Sequence, residues 1–369
     1  MTSMTHGGPG NGHWGTSHRD GLGVVGGVDT HGAVHHAAVI DALGRPVADR
    51  AFPATARGYR DLLGWMRSHA STRGGELRVV GVEGTGAYGA ELARTLTTAG
   101  VQVVEADRPD RTTRRLHGKS DPVDAYAAAA AVLSGRANAV PKTRDGLVEA
   151  IRVLRVARRS AIKARTQAIN QIHTLLVTAP AALRAQHTDL GRATLIRTLA
   201  RLRPGPDYTD PATATRATLR LLARRHQTLD TEIADLDTHL EPLIRQAAPA
   251  LLDLFGVGPD SAATLLTTAG DNPHRIRSEA AFTHLTGVAP IPANSGRTHR
   301  HRLNRGGDRH ANHALHTITL VRMRYDPRTR TYVHRHTHQG LSKREIIRCL
   351  KRHIAREIYH ALTTPPTHT

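Results

Sequence analysis

Two Val-rich runs each stop on an acid: Leu22–Val28 ends at Asp29, and Leu77–Val82 ends at Glu83. By its length and Val content the second run fits a buried strand. A carboxylate inside such a core is costly unless it is paired or metal-bound. Both acids therefore belong at the rim of a sheet. Taken alone, Asp29 is also an ordinary turn residue ahead of Thr30-His31-Gly32.

The first run continues through that polar turn into a second apolar stretch ending at Asp41, the pattern of a β-hairpin. A third short strand fits Pro46–Phe52. Ala56–His69 has helical spacing, with Tyr59, Leu62, Leu63 and Met66 on one face. Helix Ala87–Ala99 and strand Val101–Asp107 complete the order βββαβαβ, which implies a mixed sheet covered by helices. Residues 108–119 form a basic connector. Helix Pro122–Leu133 follows, with Pro122 in its first turn and Asp121 as its N-cap. Asp121 and Asp124 are three residues apart and so share a helix face.

The second half reads as helical. Asp145–Val177 is Arg-rich with a continuous apolar seam, and the Pro/Gly/Asp-rich stretch Arg201–Pro211 breaks it. Leu222, His226, Leu229, Ile233, Leu236, Leu240 and Leu243 then recur at a/d spacing. That seam fits a coiled coil, within or between chains, or an ordinary amphipathic helix packed on its own domain. Leu251–Asp271 sets Gly256-Val257-Gly258 between two helical patterns. This looks like a helix-hairpin-helix, whose exposed N–H groups hold a phosphate backbone without reading sequence. The same string is also compatible with a plain tight turn. The last helix spans Ser342–Leu362, with Ser342 and Glu345 spaced as a capping box. The expected class is α/β plus all-α. A tail (1–20) precedes a mixed α/β domain (21–143), a helical linker (144–249) and a C-terminal helical domain (250–369).

Charge narrows the function. The chain has 369 residues, with 51 Lys+Arg against 31 Asp+Glu, a formal net charge of +20. Such a balance suits a polyanion better than a small neutral substrate. Aromatic residues make up 3%, so nucleic acid would be gripped through phosphates and sugars rather than broad stacking platforms. No apolar run approaches the ~18 residues of a membrane span. The N-terminus lacks a signal-peptide core, which points to a cytoplasmic protein. The single cysteine, Cys349, excludes a disulfide framework and a Cys-based zinc site. The H-x-H strings at His299/His301 and His334/His336/His338 have no Cys or acidic partner and read as polar contacts.

Asp29, Glu83, Asp121 and Asp124 occupy strand ends and a helix start, positions that can converge on one rim. Four such carboxylates suit a pair of Mg²⁺ or Mn²⁺ ions engaged in phosphoryl transfer. Singly, Asp121 is also a simple cap and Asp124 a solvated first-turn acid. The string VDTH…GVEGTGAYG…GKSDPVDAYAAA resembles the DEDD transposases of bacterial insertion sequences, the insertion sequence 110 family. The resemblance implies a RuvC-like ribonuclease H fold for the N-terminal domain. It also implies metal-binding and catalytic roles for Asp29, Glu83, Asp121 and Asp124, with Lys119 against a phosphate.

Past residue 287 the chain reads GVAPIPANSGRTHRHRLNRGGDRHANHALH, with Arg297, Arg300, Arg302, Arg305 and Arg309 every two to four residues. Like charges this dense repel one another unless a polyanion lies among them. By residue type alone, Ser295 is a loop hydrogen-bonding residue or a nucleophile lined by arginines. The block is similar to the second signature of the same family, in which the serine before Gly is the covalent nucleophile. Asp308 departs from the Asn common there. The resemblance runs from Val24 to about Leu362. It implies DNA cleavage and rejoining through a phosphoserine, with element ends and a target site as DNA partners. It further implies a structured bridge RNA as guide and a homo-oligomer, dimer or tetramer. Two other readings fit the residues: a metal-only junction nuclease, and a non-catalytic nucleic-acid-binding protein.

Overall fold

The computed structural model describes residues 22–106, 120–296 and 301–363. The basic connector with Lys119, and Arg297 and Arg300 of the arginine block, lie outside the described residues. The chain divides into two compact units, Met1–Arg144 and Asp145–Thr369.

In the first unit, strands β1 (Leu22–Thr30), β2 (Val34–Ile40) and β3 (Pro46–Pro53) precede helix α1 (Ala56–Ser71). Strand β4 (Glu76–Glu83), helix α2 (Ala90–Thr98), strand β5 (Gln102–Ala106) and helix α3 (Asp121–Leu133) follow. The sheet order is β3-β2-β1-β4-β5. The β1–β2 and β2–β3 pairs are antiparallel, and the β1–β4 and β4–β5 pairs are parallel. This mixed sheet covered by helices is compatible with a RuvC-like fold.

The two faces of the sheet differ in kind. One packs Val24, Val28, Val80 and Val82 against Leu62, Met66, Leu92 and Leu96 of α1 and α2. The other carries Val25, Val79 and Val104 under Ala129 of α3. Gly27 and Gly81 are register partners on this second face. A Cβ on Gly27 would lie 2.1 Å from the Ala125 carbonyl oxygen, and one on Gly81 would lie 2.8 Å from that of Ala128. The helix rests directly on the backbone of β1 and β4 because neither glycine has a side chain to hold it off.

Two local expectations change. Helix α2 begins at Ala90 rather than Ala87. Gly84, at φ +71°, opens a turn in which its carbonyl accepts the N–H groups of Ala87 and Gly89. The N-cap of α3 is Ser120, and Asp121 is the first helical residue. Its carboxylate is left to face outward from the helix end.

In the second unit, long helices α4 (Leu147–Thr178) and α7 (Pro211–Ala247) flank the short helices α5 (Ala181–Ala185) and α6 (Arg192–Ala200). Arg158 pairs with Asp237 and Arg165 with Asp230, so α4 and α7 run antiparallel. All seven residues of the a/d seam are buried or half-buried. At one end, Ile169, Ile172 and Leu176 of α4 pack with Leu219 and Ala223 of α7. At the other, Val148, Ile151, Leu240 and Ile244 join a core with Leu251, Leu265, Phe282, Leu315 and Ile354. The expected linker and the residues beyond 249 therefore share one core. That core gathers α8 (Pro249–Leu252), α9 (Pro259–Ala269), α10 (Glu279–Leu285), α11 (Arg309–Tyr325) and α13 (Lys343–Thr363), while α12 (Pro327–His338) joins the last two along the chain. The capping box of α13 forms: Ser342 N–H donates to Glu345 Oε2 at 2.8 Å. Among the described residues, no helix is long and apolar enough to cross a membrane.

Gly27→Ala should destabilise the protein by about 1–3 kcal/mol or more, because no flexible side chain can move aside. Gly64→Ala, with nothing within 4 Å of its Cβ position, should stabilise α1 by roughly 0.5–1 kcal/mol. Denaturant melts of the two variants compare them directly. Burial pushes the pKa of His226, the polar member of the seam, below its usual value, against an opposing pull from Asp230. The folded chain thus declines a proton that the unfolded chain accepts, and stability falls as pH drops below about 6.5. His226→Leu should shrink the difference in melting temperature between pH 7.5 and pH 5.5.

Candidate active site and nucleic-acid interface

Side-chain alternation along the strands decides where the acids point. Asp29 lies two residues beyond Gly27, and Glu83 two beyond Gly81. Each therefore leaves the sheet on the face that α3 covers. Val28 pairs with Val82, so the two acids follow a registered pair at the ends of adjacent parallel strands. The Thr30 hydroxyl donates to the Glu83 carbonyl at 2.8 Å and ties those ends together. Asp121 and Asp124 occupy the turn of α3 just ahead of Ala125, the residue seated over Gly27.

Asp29 and Asp121 meet at one further side chain, His31. His31 Nε2 lies 3.1 Å from Asp29 Oδ2 and 3.5 Å from Asp121 Oδ1. One ligating atom from each of the three residues falls within 4.8 Å of the others. Among the described residues this is the group of acidic, His or Cys side chains that could hold a metal ion. The donor chemistry fits a divalent cation, with two carboxylates and an imidazole around a partly open position. Asp29 is buried, while Asp121 and His31 are exposed, so the position opens to solvent. Glu83, half-buried, and Asp124, buried, stand on the same rim but outside that three-residue group.

The sequence reading missed His31 because it took Asp29-Thr30-His31-Gly32 as a turn. The available signal was its spacing: it is two residues past Asp29, just beyond the strand that runs through Thr30, and its imidazole lies on the Asp29 side. Its backbone is anchored by a second histidine, since His31 N–H donates to His35 Nδ1 at 3.3 Å. His35 is fully buried and stacks on Tyr59 with centroids 5.4 Å apart. Burial lowers its pKa and keeps the ring neutral, as an accepting Nδ1 requires.

In the second unit, Ser295 is exposed in the loop joining β6 (Ile291–Pro292) to β7 (His301–Arg302). Gly296 follows at φ +53°, a conformation that favours glycine. The polar residues after β7 build the loop. Asn304 donates to the His284 carbonyl at 3.1 Å, and Asp308 caps α11 by accepting from the N–H groups of His310 and Ala311. Asp308 also accepts from the Thr268 hydroxyl at 3.1 Å, so the departure from Asn carries a structural role here. The Asn312 amide donates to the carbonyls of Thr286 and Gly287.

With those residues occupied, Arg302, Arg305 and Arg309 line a cavity of about 990 Å³. Arg348, Lys351 and Arg352 of α13 line the same cavity, and Glu345 is its one acidic lining residue. Their spacing of three and four puts them on one helix face, a signal that the sequence reading did not use. Lys351 is held by Asn312 Oδ1, and burial pushes its pKa down. Gly256, at φ +80°, turns the chain between α8 and α9, and Gly258 precedes α9. The first arm of that hairpin has only four residues. Arg158 pairs with Asp260 in the first turn of α9 at 3.1 Å, so that helix end already faces a carboxylate.

Comparison with known proteins bears on both units. Residues 26–180 match a family model described as a transposase of the DEDD IS110 type. Residues 248–334 match a second model, described as transposase IS116/IS110/IS902 family. The chain is 30% identical over 156 residues to the IS900 42 kDa protein of Mycobacterium paratuberculosis, covering 40% of this chain and 39% of that one. It is 34% identical over 94 residues to an IS110 43.6 kDa protein of Streptomyces coelicolor, covering 25% and 23%. A mini-circle protein of IS117 from the same organism, whose name assigns it as a transposase, is 27% identical over 333 residues, covering 76% and 79%. The alignments thus span less than half the length of the first two relatives. Two models of one family match in succession, the first over the acidic rim and the second over the Ser295 block, and the chain belongs to the IS110 family of insertion-element transposases.

Proposed function

We propose that the protein is a DNA transposase that cuts and rejoins strands at the ends of its own element. The observation that carries this reading is the shared direction of the acids. Asp29 and Asp121 meet at ligating distance on the sheet face that also receives Glu83 and the start of α3. In this reading Asp29, Glu83, Asp121 and Asp124 hold divalent cations, Mg²⁺ or Mn²⁺. Bound there, such ions would neutralise charge on a scissile phosphate and on the oxygens that enter and leave it.

Ser295 supplies the nucleophile. Its Oγ forms a bond to phosphorus as the bond from phosphorus to a sugar oxygen breaks, and the serine proton leaves to base. The product is a phosphoserine linkage and a free sugar hydroxyl. Attack by a sugar hydroxyl on that linkage rejoins DNA and returns the serine, so no external energy is consumed. The arginines of the second unit stabilise the charge that builds on the phosphate. The cationic cavity and the α8–α9 hairpin, with Gly256 and Gly258 at its turn, engage the backbone without reading bases. Sequence choice is then delegated to a structured bridge RNA that pairs with donor and target DNA. The active assembly is an oligomer in which the acidic rim and Ser295 act on one strand from the same chain or from two.

A covalent protein–DNA adduct should form with the wild type, and mass spectrometry of its digest should place the modification on Ser295. Ser295→Ala should give no adduct while retaining DNA affinity. Cleavage at full rate by that variant would establish the metal-only nuclease instead. Asp29→Asn and Asp121→Asn should each lower strand cleavage by roughly a hundredfold or more. With ~6–10 phosphate contacts, DNA affinity should fall ~10³–10⁵-fold between 50 and 200 mM salt, and a flat response removes the electrostatic reading.

A further inference from the structure

An account of the acidic rim in oxygen donors alone leaves His31 without a role. Its Nε2 is set between two carboxylate oxygens, at 3.1 Å from Asp29 and 3.5 Å from Asp121. Adjacent donors around an octahedral ion, each ~2.1 Å from it, are ~3 Å apart. The spacing of the side chains is thus already close to that of ligands on one ion. His31 is also held from behind. Its backbone N–H is fixed on His35 Nδ1, and that ring is locked in the core against Tyr59. That anchor fixes the backbone from which the imidazole is presented to the two carboxylates.

We propose that His31 is a nitrogen ligand of the cation held by Asp29 and Asp121, and that this donor makes the site favour Mn²⁺ over Mg²⁺. The inference rests on the metal reading of the carboxylates given above. Mg²⁺ takes oxygen ligands in a strict octahedron and gives up water reluctantly. Mn²⁺ shares the preference for carboxylate and water oxygens but, as a first-row transition ion, gains more than Mg²⁺ when an imidazole nitrogen replaces a water. The other role open to His31 is that of a cation standing where a metal would be. The two roles predict opposite signs. Removing a ligand weakens metal binding, and removing a competing cation strengthens it.

The test is calorimetric titration of the full chain with manganese chloride and with magnesium chloride, alongside pulsed electron paramagnetic resonance of the manganese-loaded protein. The wild type should bind Mn²⁺ more tightly than Mg²⁺ and show nitrogen modulation from a directly bound imidazole. His31→Ala should weaken Mn²⁺ binding by about tenfold or more, change Mg²⁺ binding by less than about threefold, and lose that modulation. His31→Asp restores an oxygen donor and should bring the preference back toward Mg²⁺, which guards against a merely misfolded alanine variant. The proposal is overturned if the modulation is absent from the wild type or survives in His31→Ala. It is equally overturned if both ions bind His31→Ala as tightly as the wild type or more tightly. Asp29→Asn separates this failure from a deeper one. If neither ion responds to that change, the carboxylate site itself is wrong; if both respond and His31→Ala does not, only the nitrogen ligand is wrong.

Discussion

The contact between α3 and the bare backbone at Gly27 and Gly81 governs the geometry of the first unit. A helix on a sheet usually rides on a layer of side chains, as α1 and α2 do on Leu62, Met66, Leu92 and Leu96. On the other face that layer is missing over two adjacent strands, and Ala125 and Ala128 come down onto the peptide groups. Little apolar area is available there, so close dispersion contact must do what bulk does elsewhere. The thick face supplies most of the buried apolar volume. The thin face fixes position, and the first turn of α3 is brought to the ends of β1 and β4.

Much of this was readable before any coordinates. Strand runs such as Val79–Val82 announce themselves because four consecutive buried positions leave no place for a polar side chain. The seam from Leu222 to Leu243 was equally plain, since helical burial leaves a periodic trace. The sequence was silent on which surface would cover that seam; the ion pairs from Arg158 and Arg165 show that α4 of the same chain does. The start of α2 and the cap of α3 were misjudged by a few residues, because glycine turns and single caps depend on backbone angles that composition does not encode. His31 was hidden for another reason. An Asp-Thr-His-Gly string has strong turn chemistry, and only the continuation of β1 through Thr30 reveals that alternation still applies. Arg348, Lys351 and Arg352 were obscured by belonging to a helix whose cap and apolar stripe already accounted for its pattern.

In the second unit the motif residues divide their labour by chemistry. Asn304, Asp308 and Asn312 spend their hydrogen bonds on carbonyls and N–H groups of the surrounding loops. They give the segment after β7 a fixed path despite its scant regular structure. The guanidinium groups between them have no such duty, and they gather around a cavity with a single acid for company. Mutual repulsion among these cations is a standing strain that a phosphate chain would relieve. Lys351, partly withdrawn from water and bound to Asn312, links the two sets of residues.

The interval of two residues between each glycine and the acid beyond it has a consequence for how copies of such an element decay. Gain or loss of one codon between Gly27 and Asp29, or between Gly81 and Glu83, would turn the carboxylate to the opposite side of the sheet. A frame-preserving slip of that kind would take a carboxylate away from the proposed cation site in a single step.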